Sequence, residues 1–178
     1  MKFYIETERL ILREMRASDD KAMFELDSNH EVHKYLGNNP IKTIEQARAV
    51  IEIVCQQYID NGIGRWATIE KASGNFMGWS GLKFIKEYEN NHINFYDVGY
   101  RLLPKYWGKG YATEAAKAAL EYGFNTLKAE EIIGTANEEN KASRRALEKC
   151  GLKFVEQFMW KEIKCDWLKI TKEEWFNR

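Results

Sequence analysis

The chain is poor in the residues that break or cross-link a polypeptide. Its 178 residues include only two prolines, Pro40 and Pro104, and three cysteines, Cys55, Cys150 and Cys165. No Ser/Gly/Pro-rich linker, repeat or low-complexity tract divides the sequence, so residues 1–178 are read as a single domain. The cysteines are odd in number, far apart and lack any C-x-x-C pair, which suggests neither a disulfide framework nor a zinc site; all three are expected as reduced thiols. A charge excess is also missing, since 27 Lys plus Arg balance 27 Asp plus Glu, and neither nucleic acid nor an anionic membrane is an expected partner. No run approaches the ~18 apolar residues of a membrane span, and the start MKFYIETERL has no apolar stretch behind a basic segment. A cytoplasmic location is therefore expected. What the chain does have is 44% hydrophobic residues, enough for one well-filled core.

Periodicity gives the order of elements. Thr7 to Met15, with the run Leu10-Ile11-Leu12, predicts a strand, and Ser18-Asp19-Asp20 starts a helix carrying Ala22, Met23 and Leu26. Thr43 and Gln46 form a capping box ahead of Ile44, Ala47, Val50, Ile51, Val54 and Tyr58 at helical spacing, and Asn61-Gly62 ends that helix. Arg65 to Ile69, Phe76 to Ile85 and Ile93 to Leu103 are rich in aromatic and branched residues and predict strands, the first two as an antiparallel hairpin. Tyr111 to Phe124 predicts a helix whose Ala112, Ala115, Ala116 and Ala119 allow close packing on a sheet. A strand at Glu131 to Ala136, a helix at Lys141 to Cys150, and closing strands at Leu152 to Trp160 and Asp166 to Ile170 complete the pattern, an α/β (α+β) class. The closing strands could also pair between two copies, as a homodimer.

The most informative stretch runs Tyr100-Arg101-Leu102-Leu103-Pro104-Lys105-Tyr106-Trp107-Gly108-Lys109-Gly110-Tyr111-Ala112-Thr113-Glu114, a strand leading through a glycine turn into a helix. Glycines let backbone approach a ligand, and the first helical turn offers unpaired N–H groups and the positive end of the helix dipole, which suits a phosphate. Lys105 and Lys109 add screened attraction. No G-x-x-x-x-G-K-[ST] occurs, and Thr113 stands where a dinucleotide fingerprint needs its third glycine, so the ligand is some other phosphate carrier.

These residues resemble the GCN5-related N-acetyltransferase (GNAT) superfamily, in particular its RimJ/RimL-like branch of ribosomal-protein N-terminal acetyltransferases. Thr7-Glu8-Arg9-Leu10-Ile11-Leu12-Arg13 resembles that branch's opening motif, Asp97-Val98-Gly99-Tyr100 its fourth strand, and Trp107 to Ala115 its coenzyme A loop. Asn140, Ser143 and Lys149-Cys150-Gly151-Leu152-Lys153-Phe154 are similar to its late helix and strand. The resemblance implies a mixed, mostly antiparallel sheet splayed into a V and flanked by helices. It implies acetyl-CoA as cosubstrate, its pantetheine arm lying against Leu102 and Leu103 and its phosphates on Lys105, Trp107, Gly108, Lys109, Gly110, Tyr111 and Ala112. Asn140 and Ser143 would also touch the cofactor. Two departures stand out: Lys105 replaces the usual Arg or Gln, and Leu147 falls where many members carry the tyrosine that protonates the leaving thiolate. In the RimL-like enzymes a serine at the position of Ser143 is placed for that role, so the resemblance assigns it there.

Transfer to an amine needs a neutral nitrogen, a polarised carbonyl and a proton for sulfur. Asp97 could accept the amine proton or be a strand carboxylate facing solvent; backbone N–H groups near Leu102 and Leu103 would meet the oxyanion. Asn140 could equally be a helix N-cap with Ser143 a surface residue. His30 and His33 lack a third ligand and are read as solvated, so no metal is expected. The tryptophans are expected in the core or the cleft walls, with Trp79, Tyr35 and Tyr58 near the acceptor by family analogy. The leading expectation is an acetyl-CoA-dependent N-acetyltransferase acting on a protein N-terminus or a small-molecule amine. The alternatives are a coenzyme A-binding sensor or scaffold without catalysis, and a transferase of another acyl or aminoacyl group.

Overall fold

A computed structural model describes residues 4–178. The opening residues form two strands rather than the single strand expected over Thr7 to Met15: β1 (Tyr4–Glu6) and β2 (Leu10–Arg13) pair antiparallel, with Thr7, Glu8 and Arg9 as the turn. The reason is local, since the Thr7 N–H donates to the Leu10 carbonyl at 3.0 Å and closes the turn. A 3-10 turn at Ala17–Asp19 precedes α1 (Asp20–Asp27), and α2 (His30–His33) is a single turn capped by the Asn29 side chain. α3 (Ile44–Asn61) has the expected capping box of Thr43 and Gln46, and Gly62 ends it in the left-handed conformation at φ 68°.

The sheet continues with β3 (Trp66–Glu70), β4 (Phe76–Ile85) and β5 (Phe95–Leu102). Then follow α4 (Tyr111–Asn125), β6 (Glu131–Asn137), α5 (Lys141–Lys149), β7 (Lys153–Trp160) and β8 (Ile163–Thr171). A last helix, α6 (Lys172–Phe176), was not among the predicted elements, although Thr171 and Glu174 form a capping box ahead of it. The strand order is β1-β2-β3-β4-β5-β6-β8-β7, antiparallel throughout except for β5 against β6. The parallel pair holds only at Tyr96↔Ile132 and Asp97↔Ile133, although β5 runs on to Leu102 and β6 to Asn137. Beyond Asp97 the two strands part, and this is the V expected of the fold.

Strand period decides what lies on each side of the splay. On β5, Tyr96, Val98, Tyr100 and Leu102 share the face against which α4 packs through Ala115, Ala116, Ala119, Leu120 and Phe124, all buried. Asp97, Gly99 and Arg101 share the opposite face, toward α1 and α3. Trp66, Trp167 and Trp175 are buried as expected, whereas Trp107 is 48% exposed and Trp160 38% exposed. No described helix is long and apolar enough to cross a membrane.

Candidate active site

The glycine turn enters α4 with Gly108 at φ 73° and Gly110, the N-cap, at φ 81°. Both are left-handed values that side-chain-bearing residues avoid. Within this turn Trp107 N–H donates to Pro104 and Glu114 N–H donates to Gly110, but no acceptor among the described residues takes the N–H of Gly108, Lys109, Gly110, Tyr111, Ala112 or Thr113. A row of unclaimed amides at the positive end of a 15-residue helix is a site for an anion. Of the two lysines of this turn, Lys105 has an acidic neighbour. Lys105 is exposed and lies 3.6 Å from Glu25, a weak surface pair that leaves the lysine able to turn to an anion.

A clamp not foreseen from the sequence holds this turn. Glu114 accepts from the Thr7 hydroxyl at 2.6 Å, the Arg9 N–H at 2.9 Å and Arg9 Nε at 2.7 Å. Arg9 Nη1 also reaches the Lys109 carbonyl at 2.9 Å, and its guanidinium lies 4.3 Å from the centre of the Tyr111 ring, whose hydroxyl donates to Glu70 at 2.8 Å. Burial by itself would raise the Glu114 carboxyl, but the hydrogen bonds from Thr7 and Arg9 outweigh it and hold the group below its ordinary value. The opening motif and the end of the glycine motif are therefore one structure, bolted together across 105 residues. Nothing in the spacing could reveal this, because the contact is tertiary.

Beyond Asp97, β5 presents a bare edge. The Leu103 N–H donates to Met77 at 2.9 Å, so pairing with β4 uses Leu103, Arg101 and Gly99, and the backbone groups of Val98, Tyr100 and Leu102 turn into the splay. Of the two amides expected near an oxyanion, that of Leu103 is thus committed to β4, while that of Leu102 faces the cleft. The Leu102 carbonyl is taken by Trp107 Nε1 at 2.7 Å, which folds the glycine turn against the strand end.

Because β6 leads directly into α5, the first turn of α5 stands at the mouth of the splay. Asn140 is the N-cap, accepting the Ser143 N–H at 3.1 Å, and its side-chain NH2 group has no partner among the described residues, so capping leaves it able to donate to a ligand. Ser143 meets Tyr100, whose hydroxyl donates to the Ser143 carbonyl at 2.7 Å and lies 3.3 Å from Ser143 Oγ. Leu147 is buried, 1% exposed.

On the opposite face Asp97 is ion-paired with Arg65, whose guanidinium also donates to the Asp97 carbonyl at 2.7 Å. Burial pushes the Asp97 carboxyl above its usual value, with Arg65 opposing. The guanidinium carbons of Arg65 and Arg101 are 5.3 and 5.0 Å from the ring centre of Trp79, and Arg101 pairs with Asp27 at 2.7 Å. Tyr58 spends its hydroxyl on Met15 N–H and the Arg65 carbonyl, and the Tyr35 carbonyl accepts from Asn137 at 3.3 Å. His30 is exposed, but His33 is not solvated as expected: it is 7% exposed beside Asp27 and Arg101, because the short α2 turns it inward. Burial lowers its pKa, so it is neutral near pH 7.

Comparison with known proteins bears on this arrangement. The model of the acetyltransferase (GNAT) domain matches residues 9–153. YoaA of Bacillus subtilis, described as an uncharacterized N-acetyltransferase, is 30% identical over 159 residues, 88% of each chain. The crystal structure of a GNAT-family acetyltransferase from Bacillus anthracis superposes with a TM-score of 0.78 at 29% identity, covering 96% of this chain and 99% of that one. Spermidine N-acetyltransferase from Vibrio cholerae, solved with CoA and spermine, has the same fold at a TM-score of 0.77 and 19% identity, covering 96% and 100%.

Proposed function

The chain belongs to the GNAT acetyltransferase family and is an N-acetyltransferase, and from that premise we propose that it moves acetyl from acetyl-CoA directly to a primary amine while both are bound. The observation that carries this reading is the run of unclaimed amides from Gly108 to Thr113 beside the bare edge of β5: one suits a pyrophosphate, the other the amide groups of a pantetheine arm. Leu102, Trp107, Gly108, Lys109, Gly110, Tyr111, Ala112, Asn140 and Ser143 would line the cofactor, with Lys105 and Leu103 at its margin. The amine nitrogen attacks the thioester carbon, the C–S bond breaks, the nitrogen gives up one proton and the sulfur gains one. Amide and thiol result with no proton left over. Ser143 is proposed to donate to the sulfur and Asp97 to accept from the nitrogen, directly or through water.

Direct transfer is favoured by the cysteines. All three are free, burial raises Cys55, and it pushes Cys150 and Cys165 up to about 11, so none is a ready nucleophile for an acyl-enzyme. Asp97 is a carboxylate and so only a modest base, although burial raises its pKa against the pull of Arg65. That suits an α-amine near ~8 better than a lysine-like amine near ~10.4 and supports the RimJ/RimL-like reading, a protein N-terminus as acceptor. A small-molecule amine is the second acceptor class, since spermidine N(1)-acetyltransferase of Vibrio cholerae is 26% identical over 149 residues. The test is thiol release from acetyl-CoA with a panel of peptides, polyamines and aminoglycosides. Release is expected with at least one amine. Binding of acetyl-CoA without any release would favour a sensor or scaffold, and no binding at millimolar acetyl-CoA would overturn the reading.

Asp97→Asn tests the base. Because burial raises the Asp97 pKa, the carboxylate works only above that raised value, and help is needed only below the amine's own pKa. The variant is therefore expected to lose about 10²-fold in kcat/KM between those limits and progressively less as pH approaches the amine pKa. An unaltered pH profile would reduce Asp97 to a partner of Arg65.

A further inference from the structure

Leu147 removes the tyrosine hydroxyl that the family resemblance would place on α5, yet a different tyrosine reaches the same helix. Tyr100 stands on β5 where the strand has already parted from β6, since the last parallel pair is Asp97↔Ile133. No backbone ladder sets the separation of the two arms there. Strand alternation sends the Tyr100 side chain to the α4 and α5 face, and its hydroxyl ends on the first turn of α5.

We propose that Tyr100 is a positioning residue for Ser143: its phenol spans the splay, ties the first turn of α5 to β5, and holds the Ser143 hydroxyl at the sulfur of coenzyme A. The inference rests on the reading of Ser143 as the group that donates to sulfur. Ser143 is held at three points, its N–H by Asn140 Oδ1 at 3.1 Å, its carbonyl by the Tyr100 hydroxyl at 2.7 Å, and its Oγ by the Tyr100 oxygen at 3.3 Å. A phenol has one proton, and the short bond to the carbonyl commits it. In the longer contact Ser143 Oγ therefore donates and the Tyr100 oxygen accepts. A bond of that length is weak, so the serine proton can turn to a thiolate at little cost, and the carbonyl bond keeps Oγ in place while it does so. Burial raises the Tyr100 pKa further above its ordinary value, which makes it a fixed neutral strut and a poor acid. The division of labour follows: Tyr100 positions, Ser143 donates.

The test uses bound coenzyme A as the probe and needs no acceptor. A hydroxyl that donates to sulfur favours the thiolate, so the pH at which bound CoA ionises, followed by thiolate absorbance, reports the contact. Ser143→Ala is expected to raise that midpoint by about one unit, the worth of one ordinary hydrogen bond. Tyr100→Phe, which keeps the ring and loses only the hydroxyl, should raise it by roughly half to one unit with CoA affinity unchanged. The double variant should be no worse than Ser143→Ala alone, because both changes break the same chain. No shift in Ser143→Ala would sink the serine reading itself. A shift in Ser143→Ala but none in Tyr100→Phe, or shifts that simply add, would overturn the role of Tyr100 and leave Ser143 standing.

Discussion

Gly110→Val is expected to erase the stabilisation of the protein by acetyl-CoA while leaving the unliganded chain folded. A ligand at about 100 times its dissociation constant stabilises the native state by about 2.7 kcal/mol, which for a domain of this size is a rise in Tm of roughly 5–10 °C. Gly110 is the N-cap of α4 at φ 81° and lies in the middle of the unclaimed amides. Valine there pays about 1–3 kcal/mol of backbone strain or swings out of the left-handed region. The second course redirects the amides of Lys109, Gly110 and Tyr111. An added Cβ also approaches Arg9 Nη2 to 3.4 Å, close to the clamp that fixes the Lys109 carbonyl. Differential scanning calorimetry with and without acetyl-CoA is the measurement. A full ligand-induced shift in the variant would mean that the turn is only a helix cap.

The larger loss of stability is expected from Gly78→Ala, one methyl group placed between β4 and β5. Gly78 has φ 146°, and a Cβ there would stand 2.0 Å from the Arg101 carbonyl oxygen and 2.8 Å from Leu102 Cα. Both obstacles are backbone, so no rotamer change relieves them. Gly78 pairs with Leu102 in the register, so relief requires the strands to separate where β5 leads into the glycine turn. A cost of about 4 kcal/mol is expected, in the range reserved for severe core changes, and Tm should fall by roughly 10–15 °C. Acetyl-CoA should recover little of it, because the distorted strand end is part of its site. Melting within a few degrees of the wild type would show that the pair opens more easily than this geometry allows.

The residues differed sharply in how much they disclosed. The α3 boundaries were legible because a capping box and a left-handed glycine are local events, decided within one helical turn of Thr43 and Gly62. The same kind of signal stands at Thr171 and Glu174, but α6 has only five residues, too few for a periodicity that would support it. His33 departs from expectation for the opposite reason: a polar residue in a polar stretch is a solvated one by default, and only the packing of α2 beside Asp27 and Arg101 turns it inward. For Asn140 the sequence allows either a cap or a cofactor contact. The structure shows the cap, made by its Oδ1, and the NH2 has no partner among the described residues, so capping does not preclude the proposed cofactor contact.

The sequence by itself determined the order of elements from α3 to β8, the alternation along β5 and the glycine turn into α4, since these depend on residues within a few positions of one another. It also carried enough of the family's motifs in order to indicate an acetyltransferase. Only the tertiary structure decided which groups meet: Thr7 and Arg9 with Glu114, Arg65 with Asp97, and Tyr100 with Ser143. Each of these partnerships joins segments at least 32 residues apart. Such contacts leave no periodic trace, because they are set by how distant strands, helices and turns pack together and not by any local preference of the chain.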